Sequence, residues 1–205
     1  MPTHLSTDGL AMRYGRRRLF EGLSVRVEPG AALAVVGANG SGKSTLLLVL
    51  AGIVSPTEGS VSLSVDGRAV PPEARPLSVG LVAPALELYG PLTARENLAF
   101  LARARRLDRA HARVADVLDR VGLLGRADEP LATFSTGMRQ RMRLAAAVLH
   151  RPAVLLLDEP GATLDAAGRD LVAAFVAEPG TVVVVATNDP AEAALCPRRL
   201  TLSEG

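Results

Sequence analysis

Gly37-Ala38-Asn39-Gly40-Ser41-Gly42-Lys43-Ser44-Thr45 decides how the rest of the chain is read. The stretch meets the phosphate-loop pattern G-x-x-x-x-G-K-[ST] at each fixed position. Its flanks agree. Ala32-Leu33-Ala34-Val35-Val36 is an apolar run that predicts a buried strand entering the loop. Leu46 to Leu50 predicts a helix leaving it, and Gly52 predicts its end. Glycines let successive backbone N–H groups curl round a polyphosphate, and the positive end of the helix dipole faces the same anion. Lys43 is placed to reach the β- and γ-phosphates, and the Ser44 hydroxyl to ligate Mg²⁺.

Outward from the loop, Leu10 to Tyr14 and Leu23 to Val27 read as strands, with Arg16-Arg17-Arg18 between them read as a solvated turn in preference to a phosphate contact. Ser60 to Val65 alternates polar and apolar and runs into Asp66-Gly67, a hairpin signal. These early strands look antiparallel and peripheral. Pro71, Pro72 and Pro76 break the chain before the short strand Val79 to Val82. Thr93 to Val121 has a helical pattern, opened by a capping box of Thr93 and Glu96 and studded with arginines that read as a solvated face. Arg139 to His150 and Ala166 to Ala177 are further helices. Val154 to Leu157 and Thr181 to Ala186 are fully apolar strands, the kind that sit in a parallel sheet covered on both faces.

Two more stretches carry chemistry. Leu155-Leu156-Leu157-Asp158-Glu159-Pro160 ends a strand in two carboxylates. Asp158 beside the loop suits Mg²⁺, held by way of water, and Glu159 then faces the position of an attacking water. Phe134-Ser135-Thr136-Gly137-Met138-Arg139-Gln140-Arg141-Met142 places Ser135 and Gly137 at a second helix N-terminus able to hold an anion. A second phosphate cradle on one chain suggests a head-to-tail pair, each closing over the other's nucleotide.

Taken together the chain resembles an ABC-type ATPase cassette along essentially its whole length. Gly37 to Thr45 matches Walker A, Leu155 to Glu159 matches Walker B with its catalytic glutamate, and Ser135 to Arg141 resembles the ABC signature in its exporter-type form. Tyr14 stands where the family places the aromatic that stacks on adenine. The resemblance implies an α/β P-loop NTPase with a mainly parallel core sheet, an antiparallel N-terminal β portion and an inserted helical lobe at about 85–150, as one domain over residues 1–205. It implies ATP and Mg²⁺ as cofactors, with Tyr14, Gly37, Asn39, Gly40, Ser41, Gly42, Lys43, Ser44, Thr45, Ser135 and Gly137 binding nucleotide, and Ser44 and Asp158 holding the metal. Glu159 and Asn188 are the expected catalytic residues. The expected partners are a second ABC subunit, homo- or heteromeric, and a separate membrane-spanning permease docked near Leu86, Leu88 and Tyr89. The expected location is cytoplasmic, at the inner face of the cell membrane, and the expected task is ATP-driven transport, with export favoured.

Three positions depart from the family pattern. Pro84 occupies the place of the Q-loop glutamine, Asn188 that of the switch histidine, and Ala162 that of the D-loop serine. Proline has no side-chain donor or acceptor, and asparagine carries no charge. These changes bear on the rate of hydrolysis more than on ATP binding. They leave open a slow or non-hydrolysing nucleotide clamp, and a soluble ABC ATPase that remodels a protein complex is the other alternative.

Composition narrows the field further. The 205 residues carry a formal net charge of +2, which gives no overall field favouring nucleic acid. Aromatics make up 3% and tryptophan is absent, leaving few platforms for stacked bases. The single cysteine, Cys196, cannot form an intramolecular disulfide and fits a reducing compartment. Met1 to Asp8 is polar, and the apolar runs fall short of the roughly 18 residues of a membrane span. His4, His111 and His150 lie outside the motifs and read as structural or exposed.

Overall fold

The computed structural model describes residues 3–202; the outermost residues of the expected 1–205 domain, and part of the polar N-terminal stretch, lie outside it. The chain begins with an antiparallel hairpin, β1 (His4–Tyr14) and β2 (Arg17–Val27). Both strands are longer than expected: β1 reaches back to His4, with Leu5, Ser6 and Thr7 paired to Val27, Arg26 and Val25, and β2 begins at Arg17, paired to Tyr14. Only Gly15 and Arg16 turn, so Arg17 and Arg18 belong to a strand, which corrects the reading of 16–18 as a turn. With β4 (Glu58–Val65) and β5 (Arg68–Val70), which follow in the chain, the hairpin forms a four-stranded antiparallel sheet, β2-β1-β4-β5.

The second sheet is parallel. Its strands are β3 (Leu33–Val36), β6 (Val79–Val82), β7 (Val154–Asp158), β8 (Val182–Ala186) and β9 (Arg198–Thr201), in the order β6-β7-β8-β3-β9. Successive side chains of β7 feed two different cores. Leu155 and Leu157 join one, Val154 and Leu156 the other, and Val183/Val185 and Val182/Val184 of β8 divide in the same way. That is why these strands lack a polar alternate: both faces are buried. One face packs on helices, namely α3 (Ala94–Ala104), α4 (Ala110–Arg120), α5 (Thr136–Val148) and α6 (Ala166–Val176). The other packs on α1 (Lys43–Ala51) and the apolar side of the antiparallel sheet through Leu5, Leu10 and Phe20.

Several boundaries differ from expectation. Helix α1 starts at Lys43 rather than Leu46 and ends at Gly52, whose φ of 79° is left-handed. The expected helix over 93–121 is two helices; Arg106 and Arg109 both adopt φ of 52° in the break. The capping box of Thr93 and Glu96 forms as read. The proline-rich stretch carries a short helix, α2 (Arg75–Ser78), with Pro76 in its first turn, where a missing N–H costs no hydrogen bond. Like α2, the helix α7 (Pro190–Ala194) and the edge strand β9 have no counterpart in the sequence reading.

Candidate functional site

Strand β3 delivers the phosphate loop at the C-terminal end of the parallel sheet, flanked by β8 and β9. Gly37 has φ of 156°, and a Cβ there would lie 2.6 Å from the Leu202 carbonyl oxygen, so only glycine leaves the strand at this angle. Lys43, 6% exposed, folds back over the loop. Its Nζ donates to Gly37 O at 2.7 Å, Ala38 O at 3.2 Å and Asn188 Oδ1 at 2.8 Å. All three ammonium protons are therefore matched, and an arriving phosphate exchanges with these acceptors.

Asn188 follows β8 and ties several pieces together. Its Nδ2 donates to Asn39 Oδ1 at 2.5 Å, and its backbone N–H donates to Glu159 Oε1 at 3.1 Å. Thr187, fully buried, donates its hydroxyl to Glu159 Oε2 at 3.2 Å. Glu159 thus stands at the end of β7 with both carboxylate oxygens held. Asp158, one residue earlier, is 2% exposed, and its Oδ2 has no hydrogen-bond partner. Burial pushes its carboxyl above the ordinary range, while the Ser44 hydroxyl and the Lys43 charge act against that. A buried, unmatched carboxylate oxygen beside a serine hydroxyl fits a hard divalent cation such as Mg²⁺. The Ser41 hydroxyl is likewise buried without a partner.

Most of the expected site residues border one cleft of about 390 Å³; Asn188 is not among its lining residues and reaches it through Lys43, Asn39 and Glu159. Tyr14, Asn39, Gly40, Gly42, Lys43, Ser44, Thr45, Asp158 and Glu159 line it, as does Pro84. Gly37 and Ser41 lie within the loop itself. Ser135 and Gly137 are not brought there. They line a separate cleft of about 400 Å³ with Arg126, Arg141 and Asp165. Ser135 caps α5 by accepting the Met138 N–H at 3.2 Å, as the sequence suggests. Sequence reasoning missed Thr187, and it placed Arg17 in a solvated turn in preference to a phosphate contact. Arg17 lines the nucleotide-sized cleft and donates from Nη2 to Gly40 O at 2.9 Å. Its signal was the two-residue turn that pairs it with Tyr14.

A parallel sheet with a phosphate loop, a strand-end carboxylate pair and a second capped helix defines a P-loop nucleotide hydrolase. The family profile described as "ABC transporter" matches residues 20–162, and the chain belongs to that family: it is an ABC-type ATPase. It is 38% identical over 200 residues to the lipoprotein-releasing system ATP-binding protein LolD 1 of Caulobacter vibrioides, covering 92% of this chain and 86% of the relative. It is 37% identical over 214 residues to the Fe(3+) ions import ATP-binding protein FbpC of Streptomyces coelicolor, covering 100% of this chain and 60% of the relative. Among solved structures, a dimeric bacterial ABC transporter cassette superposes with a TM-score of 0.83 at 24% identity, over 97% of this chain and 94% of the other, a likeness of fold. Among the described residues no helix is long and apolar enough to cross a membrane.

Proposed function

We propose that this chain is the ATP-binding and ATP-hydrolysing subunit of a transport system, working as a head-to-tail pair on a separate membrane-spanning subunit. The observation that carries the reading is the Glu159 carboxylate, held by Thr187 and Asn188 at the edge of the phosphate loop. Tyr14 offers its ring to the base at the mouth of the cleft, and the loop amides with Lys43 take the phosphates. Ser44 and Asp158 would hold Mg²⁺, which neutralises charge on the polyphosphate when bound. Glu159 orients the water and accepts its proton, because Asp158 is committed elsewhere. Asn188 is the neutral stand-in for a switch histidine and hands a hydrogen bond to the terminal phosphate. Pro84 borders the cleft without a polar side chain, so the water has fewer partners and turnover is slow.

Ser135 and Gly137 belong to the partner's nucleotide in this scheme, which is why they sit in their own cleft. Residues 85–150 form the helical lobe of a single cassette domain. A groove of about 340 Å³ borders that lobe, lined by Ile53, Leu81, Leu86, Leu88 and Leu101, with Arg105 and Arg143 also lining it. It suits an amphipathic helix of the membrane subunit that carries a carboxylate; Tyr89 stands exposed nearby. That partner would place the chain at the inner face of the membrane. The export expectation rests on the form of Ser135–Arg141 alone. Relatives named for release and for import match almost equally well, and we read direction as a property of the membrane subunit.

The test is steady-state phosphate release with Mg-ATP. Glu159→Gln keeps shape and removes charge, and turnover is expected to fall about 10²-fold or more while ATP still binds. Wild-type turnover in that variant removes Glu159 from the role. A wild type that fails to hydrolyse even with its membrane partner makes the chain a nucleotide clamp.

A further inference from the structure

Glu159 has φ of 45°, in the left-handed region that a residue with a Cβ disfavours. Such a conformation persists where its surroundings over-determine it. Its own N–H donates to Ala186 O at 2.8 Å, which fixes the start of the turn. The next peptide, Pro160–Gly161, is clamped from both sides. Gln140 of α5, 7% exposed, donates from Nε2 to Pro160 O at 3.0 Å. Glu192 of α7, 5% exposed, accepts the Gly161 N–H on Oε1 at 2.6 Å.

The Glu192 side of this clamp is built at a cost. Its second oxygen, Oε2, is buried without a hydrogen-bond partner, and burial pushes the carboxyl above the ordinary range, while the neighbouring Thr187 hydroxyl and the Gly161 N–H act against that and the Glu159 and Asp189 charges add to it. The approach is also close. A Cβ on Gly161 would collide with Glu192 Oε1, so the contact requires glycine at 161. Glu192 does not border the nucleotide cleft. A short helix gains little stability from so exacting an arrangement.

We propose that Glu192 is a positioning residue: it holds the Pro160–Gly161 peptide so that the left-handed turn keeps the Glu159 carboxylate facing the phosphate loop. The proposal rests on the reading of Glu159 as the water-orienting carboxylate. Without Glu192 the Gly161 N–H loses its acceptor and Gln140 alone holds the peptide by its Pro160 carbonyl, so the turn loosens, Glu159 relaxes towards negative φ, and its carboxylate leaves the Thr187 and Asn188 donors. Nucleotide binding changes little, because Lys43 keeps its Gly37 and Ala38 acceptors and the loop keeps its shape even as Asn188 loses its bond to Glu159.

The experiment compares the full chain with Glu192→Ala, Glu192→Gln and Gly161→Ala, measuring kcat and KM for Mg-ATP hydrolysis and the Kd of Mg-ATP by calorimetry. Glu192→Ala is expected to lower kcat by about tenfold or more, the scale of a misplaced catalytic group, with KM and Kd within about twofold. Glu192→Gln keeps the acceptor for Gly161 and recovers most of the lost kcat. Gly161→Ala parts the same contact while leaving Glu192 in place, lowers kcat alike, and adds nothing in the double variant with Glu192→Ala. A folded Glu192→Ala with wild-type kcat overturns the proposal, as does Glu192→Gln as impaired as alanine, or a loss that appears in KM or Kd instead. Where Glu192→Ala does not fold, Gly161→Ala decides by the same criteria. Glu159→Gln is run beside them. If it hydrolyses normally, the reading of Glu159 fails; if it is inactive and Glu192→Ala is not, the positioning role alone fails.

Discussion

Lys43 shows how a buried cation is kept matched. Its three protons are directed to Gly37, Ala38 and Asn188. Those acceptors keep a 6%-exposed ammonium from being stranded, which would be strongly unfavourable. A phosphate replaces neutral acceptors with charged oxygens, and charge-assisted bonds are roughly twice as strong. Lys43→Ala is therefore expected to weaken Mg-ATP binding by about tenfold or more, since a hydrogen bond to a charged group contributes at least ~1.5 kcal/mol. Calorimetric titration checks this, and an unchanged Kd removes Lys43 from the phosphates. The residue's role was legible because the motif is a spacing of residue types. The grip of Thr187 and Asn188 on Glu159 was not, because their meeting depends on β7 and β8 being neighbours in the sheet.

At the level of elements, helix α5 carries a titration that the fold controls. His150 follows its C-terminus and borders the apolar groove beside Leu101 and Ala147. Burial, with the nearby charge of Arg105, lowers its pKa from 6.5 to about 4. The Arg113 charge acts in the same direction, the nearby Val79 backbone opposes it, and both ring nitrogens are buried without a hydrogen-bond partner. The unfolded chain takes up the proton near 6.5 and the folded chain resists until about 4. Stability from this group is complete above 6.5 and drains away as pH falls towards 4. The loss is about 2 kcal/mol by pH ~5. Thermal melts at pH ~7 and ~5 are expected to show a smaller drop in His150→Leu than in the wild type; equal drops would place the imidazole in water.

Element legibility followed the strength of the local signal. Strands β7 and β8 were plain as uninterrupted apolar runs. Strand β9, Arg198-Arg199-Leu200-Thr201, is polar and largely exposed, and is held by backbone pairing to β3, so it left no trace in hydropathy. The break between α3 and α4 was hidden because arginine, unlike glycine, does not announce a left-handed turn.

For the molecule as a whole, the Ser135 cleft and the phosphate-loop cleft share no lining residue. Ser135→Arg puts a bulky cation at the start of α5. It is expected to leave Mg-ATP affinity within about twofold, because the Lys43 side is intact, and to cut hydrolysis by about tenfold or more, because a partner's terminal phosphate loses its cap. Full activity in that variant dismisses the head-to-tail pair. The parallel core, the antiparallel sheet and the second cradle of Ser135 and Gly137 were readable from patterning and motif spacing, but Arg126 and Asp165, which share that second cleft, were not, since the fold alone brings them there.

The separation of the two clefts has a kinetic meaning. If each turnover needs one chain's loop and another's capped helix, the rate per chain depends on encounter. Specific activity then rises with protein concentration, and dilution silences the cassette without unfolding it. A membrane subunit that holds two copies side by side would supply the effective concentration that free diffusion does not.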